Sequence, residues 1–408
     1  MIHANHMCAN PVSTVARLAI VALSLAACQE RLAAPADCPA LCPGGYDVRD
    51  TVLDPLPAQD SSFEGYVLAG QGSSMRVSYQ FPASEDRVVY RFLARPDSFL
   101  ITNDSVVPYT LDSVALTLTV AYRDTAVKNL RVFLYRLPAT LDSGFTFADA
   151  EAAFQPANII DSLLVDDTLV TQSLVTMLKE ADLTKVAIAP ADSGVLAMGV
   201  QIRADQGTGV RISNANTATP TFVSHVTIPL TDSTTATRQI VRGPAFATFV
   251  SQVVPVLDPS LLTVGGAPSA RTVIRFPWPA KLRDSAQLVR ATLELVPTAA
   301  IPGLHGDTAL ISARAILADL GSKSPATNDG FVIATEPLVE GQTDTVRFEV
   351  RRALIAWQGS NPTPPAFMIQ LFPEASSFTR ATFGSTRTPG FEPRLRITYA
   401  GTFPFEDP

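Results

Sequence analysis

The sequence predicts an all-β protein built as two tandem, jelly-roll-like antiparallel β-sandwiches, each carrying one short helix. Three observations predict this. Short runs rich in Val, Thr, Leu and Phe alternate with period two, the pattern of strands buried on one face. Thirty-two prolines among 408 residues interrupt long helices. The order of strand-like runs also repeats in the two halves of the chain. With 47% hydrophobic and 17% charged residues, the composition fits a folded body and excludes the disordered and coiled-coil classes. The net charge of −7, from 31 basic and 38 acidic side chains, gives no reason to expect nucleic acid or an anionic membrane surface as the main partner.

The first element is a targeting segment. Arg17 precedes the apolar run Leu18 to Ala27, which is too short to span a bilayer but right for a secretory signal. Leu25-Ala26-Ala27-Cys28 resembles the lipobox of bacterial lipoproteins, which implies cleavage after residue 27 and a lipid on Cys28. Gln29 in place of Asp points to the outer membrane; Met7 is an alternative start. Export to an oxidising compartment allows Cys38 and Cys42 a small local disulfide, and with no second Cys/His pair nearby zinc is not expected. Residues 28–62, rich in Ala, Pro, Gly and Asp, read as a flexible tether.

The β-rich body follows. Clear strand runs are Val114 to Val120, Asn129 to Arg136, Val195 to Ile202, Thr221 to Ile228, Thr272 to Phe276, Ala291 to Val296, Leu310 to Ile316, Ala366 to Phe372 and Arg394 to Tyr399. Val170 to Asp182 and Phe348 to Gly359 have apolar residues at helical spacing and are expected as the two helices. Arg87-Val88-Val89-Tyr90-Arg91-Phe92 matches Arg271-Thr272-Val273-Ile274-Arg275-Phe276, and Leu111 to Leu118 matches Leu288 to Leu295. The matches imply a duplicated domain: a first sandwich over 63–230, a linker at 231–244, a second sandwich over 245–400 and a tail at 401–408.

From Leu262 to Tyr399 the second half has enough landmarks to suggest a family. Leu262-Thr263-Val264-Gly265-Gly266, the Arg271 to Phe276 run, Ala291 to Leu295, the Phe348 to Trp357 stretch and the ending Pro393-Arg394-Leu395-Arg396-Ile397-Thr398-Tyr399 resemble the DNRLRE-type domains of bacterial surface proteins. These are similar to carbohydrate-binding module family 96. The resemblance implies a jelly-roll-like sandwich and a polysaccharide partner. Arg380-Ala381-Thr382-Phe383-Gly384-Ser385 departs from the acidic signature usual before the closing strand.

Residue chemistry narrows the function. Beyond the signal the histidines are His225, in a strand run, and His305, in a turn; no G-x-S-x-G elbow, H-E-x-x-H pair or phosphate-cradling loop accompanies them. No enzyme activity, cofactor or metal is expected. Asp161, Asp166 and Asp167 follow no calcium-loop spacing and read as helix caps. Arg351, Arg352, Arg394 and Arg396 read as solvated faces or charge pairs. Trp357 is expected in the core. Trp278, held between Pro277 and Pro279, is the candidate for stacking on a sugar ring, or else a plug for the end of the sandwich. The expected partners are the membrane through Cys28 and a polysaccharide, or in the alternative another envelope protein docked by a structural lipoprotein.

Overall fold

The computed structural model describes residues 48–401 apart from 83, 103–104, 215–217, 232–233, 331–332 and 360–361. The signal, Cys28, Cys38, Cys42 and residues 402–408 lie outside the described residues. The chain opens with β1 (Val48–Leu53) and β2 (Ser61–Glu64). The next strands are β3 (Ser74–Tyr79), β4 (Asp86–Phe92), β5 (Ser98–Thr102), β6 (Ser105–Pro108), β7 (Thr110–Arg123), β8 (Arg131–Leu137), β9 (Ile159–Leu164), β10 (Gln172–Lys179), β11 (Ala197–Arg203), β12 (Thr208–Ser213), β13 (Thr221–Thr231), β14 (Thr234–Arg242) and β15 (Pro244–Ser251); all but β5 and β6, which pair with each other as a separate hairpin, form the first sandwich. One layer is β14-β13-β7, with β10 and β12 along the other edge of β7; the second is β9-β8-β11-β4-β15, and β3 turns the corner between them. Between the layers lie Met75, Val88, Tyr90, Phe92, Leu116, Leu118 and Phe222, all at most 2% exposed.

The second sandwich contains β16 (Leu261–Gly265), β17 (Ala270–Arg275), β18 (Ala286–Leu295), β19 (Thr308–Ala315), β20 (Ala334–Val339), β21 (Val346–Glu349), β22 (Ala366–Phe372), β23 (Arg380–Gly384) and β24 (Arg394–Gly401). Its layers are β1-β24-β18-β21 and β20-β19-β22-β17-β2, with the β16-β23 pair at the corner. Phe276, Phe348, Phe367, Phe383 and Trp357 fill its core. The pairing scheme of the first sandwich recurs strand for strand. β9-β8-β11-β4 answers to β20-β19-β22-β17, and β10-β7-β13 answers to β21-β18-β24. Even the bulge recurs: the register slips at Asp112 between β7 and β13, and at Val289 between β18 and β24. These are matching positions of the Leu111 and Leu288 runs.

What differs is where the edge strands come from. In the first sandwich, β14 and β15 border β13 and β4 and follow them in sequence. In the second, the same two positions beside β24 and β17 are taken by β1 and β2, from the far end of the chain. The second sandwich is thus discontinuous, with the first inserted between its opening arm and its body.

This corrects the expected boundaries. Residues 48–53 and 61–64 are strands and not tether, Phe63 and Glu64 belong to the second sandwich, and 231–244 is mostly strand β14. β1 and β2 are edge strands, polar or charged at three of six and at three of four positions, so their apolar alternation is weak. The Asp60 carboxylate, fully buried, fastens the arm: it accepts hydrogen bonds from the Thr386 N–H at 2.7 Å and from Arg387 at 2.8 Å.

The helices also need correction. Residues 170–182 contain no α-helix: Leu174, Thr176 and Leu178 point inward from β10 and Ser173, Val175 and Met177 outward. Thr171, Val175 and Thr176 are β-branched, and pairing with the long central β7 settles the ambiguity of that short apolar run. A 3-10 turn, Glu180–Val186, follows. The first sandwich has instead α1 (Phe147–Ala153), whose N-terminus is capped by Thr146. The Phe154 ring after α1 lies where a Cβ on Gly199 would come within 2.3 Å of it, so only glycine admits the helix to that sheet. The second sandwich has two helices, α2 (Ala280–Asp284) and α3 (Arg351–Gln358); α3 lies within the expected Phe348 to Gly359 stretch.

The two sandwiches meet through the turn between β16 and β17 and the segment between β22 and β23. Ala375 and Ala267 complete the core of the first sandwich, and Phe378 lies against Gly209, where a Cβ would approach its ring to 2.6 Å. The Arg76 guanidinium stacks between Phe249 and Phe378, 5.2 and 5.0 Å from their ring centres, and pairs with Asp86 at 3.0 Å. On the other flank Arg211 meets Asp307 at 2.9 Å, and the Tyr122 hydroxyl donates to the His305 carbonyl at 2.7 Å.

Candidate functional site

Trp278 is half-buried and packed on the core of the second sandwich. Its ring meets that of Trp357 edge to face, centroids 5.2 Å apart, and its indole nitrogen is buried without a hydrogen-bond partner. That is the packing of a plug at the end of a sandwich. His225 projects from the outer face of β13 toward Gln239, and His305 sits 3.3 Å from Glu340 in the junction turn. The aspartates before β10 separate: Asp161 accepts from Thr176, Asp166 accepts from Thr168, and Asp167 stands 3.5 Å from the buried Arg123. The Thr168 hydrogen bonds hold the Asp166 carboxyl below its ordinary range. Among the described residues no group of three His, Cys, Asp or Glu could hold a metal, and no helix is long and apolar enough to cross a membrane.

The structure gathers a different set of residues. Alternation along β1, β24, β18 and β21 sends Leu53, Leu395, Ile397, Leu293 and Phe348 inward, and turns Asp50, Val52, Arg394, Arg396, Arg290, Thr292, Glu294, Arg347 and Glu349 to the outer face. Register then sets them in rows. Val52, Arg396, Thr292 and Glu349 form one cross-strand row; Arg394, Glu294 and Arg347 form the next. Glu294, only 14% exposed, is the pivot: it accepts from Arg396 Nε at 2.8 Å and from Arg347 Nε at 3.4 Å. Arg290 lies 3.6 Å from Glu349, and Asp50 accepts from Thr398 at 2.6 Å. The Glu294 contact raises the Arg396 guanidinium above its ordinary range.

The face carries a groove of about 340 Å³ lined by Asp50, Arg290, Glu294, Arg347 and Arg396. It adjoins a second of about 440 Å³, which shares Arg290 and adds Glu349, Arg351 and Arg352. Together with Arg394, six arginines face three acids, on a chain whose overall charge is −7. Glu294 and Glu349 hold Arg347, Arg396 and Arg290, and the Leu288 carbonyl holds Arg351; such planar forks suit carboxylate or sulfate oxygens taken two at a time.

The matching face of the first sandwich is uncharged at the same register positions. Ser113, Ala115, Thr117, Val175, Met177, Thr221 and Val223 stand where the second has Arg290, Thr292, Glu294, Arg347, Glu349, Arg394 and Arg396. The arginines at 394 and 396 were visible in sequence as an R-x-R alternation, but Arg290 and Arg347 join them only through pairing across distant strands.

No protein-family model matches the chain, and no curated protein matches it. Two solved structures align over most of its length. "Structure of infectious bursal disease virus Gx strain" does so at 12% identity and a TM-score of 0.13, covering 90% of this chain and 79% of that one. "The 2.6A structure of Infectious Bursal Virus Derived T=1 Particles" does so at 12% and 0.14, covering 88% and 74%. Scores this low carry no argument about fold or function.

Proposed function

We propose that this chain is a non-catalytic lipoprotein of the bacterial outer membrane, anchored through Cys28, whose second sandwich holds an acidic polysaccharide along its arginine face. The observation that carries the reading is the collection of four arginines on one sheet face and two more at the start of α3, against three acids, in an acidic protein. Sugar carboxylates or sulfates repeat along a chain, and an array spaced by strand pairing offers them repeated forks. The resemblance of residues 262–399 to a carbohydrate-binding family supports the same partner. Nineteen residues separate Cys28 from β1, enough to reach about 70 Å when extended.

Affinity electrophoresis through polygalacturonate and through neutral dextran tests it. The wild-type chain should be retarded by the acidic polymer alone, and less so as salt rises. The triple variant Arg290→Ser, Arg347→Val, Arg396→Val installs the residues that the first sandwich tolerates at those positions, and should run unretarded. Equal retardation by dextran, or none lost in the variant, refutes the reading. A second reading, docking of another envelope protein, is favoured by the cross-strand row Met177, Ala115, Val223 and Val241 on the first sandwich, in which Met177 and Val241 are about half exposed. Capture of one protein partner with no glycan shift would support it.

A further inference from the structure

The two sandwiches share one pairing scheme but close one of their ends differently. In the second, Trp278 and Trp357 fill the end together with the buried Leu53 of the arm. In the first, the alignment of β4 with β17 puts Ala94 at the place of Trp278. The pairing of β14 with β13 puts Arg242 at the place of Leu53. Where α3 brings Trp357, the first sandwich has the 3-10 turn Glu180–Val186, whose buried residue is Val186. Two indoles and a leucine are thus replaced by smaller or charged side chains. The space appears as a cavity of about 680 Å³ lined by Ala94, Arg95, Tyr109, Ile188, Pro190 and Arg242, with Asp97, Ser193 and Gly194 also in its wall.

The charges in this cavity are unbalanced. Arg95 and Arg242 are both half-buried, and among the described residues neither has a carboxylate within ion-pair distance. Arg95 donates to the Ser224 hydroxyl at 3.4 Å and lies 5.9 Å from the Tyr109 ring centre. Arg242 donates to the carbonyls of Ala94 at 2.7 Å and Val241 at 3.1 Å. Asp97, the remaining charge of the wall, is exposed and accepts from Ser98. Other half-buried arginines meet acids, as Arg271 meets Glu374 and Arg275 meets Asp319, while Arg91 and Arg314, like this pair, are held by neutral oxygens; among the described residues only here do two such guanidiniums line one cavity. A desolvated guanidinium without an anion is costly, and an oxyanion supplied by a ligand removes that cost.

We propose that the open end of the first sandwich is a binding site, separate from the arginine face, for a small molecule carrying one oxyanion, carboxylate or phosphate, on an apolar body. Arg95 and Arg242 take the oxyanion. The body lies among Pro96, Ile188, Ala189 and Pro190, the space an indole occupies in the second sandwich.

Calorimetric titration of the purified chain with benzoate, acetate and inorganic phosphate at low salt tests this. Saturable binding with Kd on the order of 1 mM is expected for at least one probe. Benzoate binding tighter than acetate assigns an organic acid, and phosphate binding tighter than both assigns a phosphoryl group; either upholds the oxyanion site. Ala94→Trp rebuilds the plug of the second sandwich and should abolish binding. Arg95→Gln, which leaves the cavity open, should weaken it about tenfold or more, while Trp278→Ala should leave it unchanged. No saturable binding of any probe, or binding unaltered by both Ala94→Trp and Arg95→Gln, overturns the proposal. Neither result bears on retardation by polygalacturonate, which Arg290, Arg347 and Arg396 control.

Discussion

Arg211 and Asp307 join the two sandwiches through one charge pair, and a double-mutant cycle measures that join. The groups meet at 2.9 Å with 16% and 7% of their side chains exposed, and the Tyr122 ring lies 5.1 Å from the guanidinium. Removing one member of a fully buried pair costs about 3–5 kcal/mol, because the survivor stays desolvated and uncompensated. Arg211 keeps some water and an aromatic face, so Asp307→Leu should cost about 2–3 kcal/mol, and Arg211→Met a similar amount. The double variant strands no charge and should cost about 1 kcal/mol, which leaves a coupling of about 3–5 kcal/mol. Urea unfolding followed by indole emission is the assay, since Trp278 and Trp357 both report on the second sandwich. A coupling below about 0.5 kcal/mol would refute the reasoning, because it would mean each charge is satisfied without the other.

The same pair has a pH signature. Burial raises the Asp307 carboxyl above its ordinary range, against the pull of Arg211 and of a backbone hydrogen bond at Thr308. The folded state therefore holds the Asp307 proton to higher pH than the unfolded chain does. Its contribution to stability is greatest at and below the ordinary Asp range, falls as pH rises through the raised value, and is level above it. The difference in urea midpoint between wild type and Asp307→Asn should trace that fall; a flat difference across the acid range would contradict it.

Three further predictions concern the architecture. Trp278→Ala should lower the stability of the second sandwich by about 2–4 kcal/mol in urea unfolding while leaving polygalacturonate retardation intact; lost retardation in a folded variant would return the ring to the binding surface. Gly209→Val should cost about 1–3 kcal/mol by driving a side chain into Phe378, and Phe378→Ala in the same chain should restore part of it. Asp60→Ala strips the arm of a buried carboxylate with three donors and should cost about 2–3 kcal/mol; protease sensitivity rising around 54–65 and not within the first sandwich would locate the damage.

How much of this was legible in sequence depends on what each residue answers to. Val114 to Val120 and Ala366 to Phe372 bury one face or both, and their apolar runs announce strands without help from partners. Val170 to Asp182 carries apolar residues at spacings both periods allow, and only its pairing with β7 decides for strand. Ser61 to Glu64 has almost no apolar signal, because its place beside β17 is fixed by backbone hydrogen bonds and by Ser62 against Thr272. The candidate site was less legible. Arg290 and Arg396 are far apart in sequence, and their shared face depends on a register that includes a bulge. The prolines around Trp278 suggested a displayed ring, but Trp357, which captures it, arrives from a helix some eighty residues later.

The opening arm bears on how the chain is made. β1 and β2 leave the ribosome before every other described strand, yet the strands they border, β24 and β17, emerge long after them; Leu53 waits for Leu395. The inserted first sandwich has all its edges in hand well before synthesis ends, and can close while the rest is still arriving. The second cannot finish until its final residues are translated. During that interval the arm is an unpaired edge, open to any strand that reaches it before β24 and β17 do.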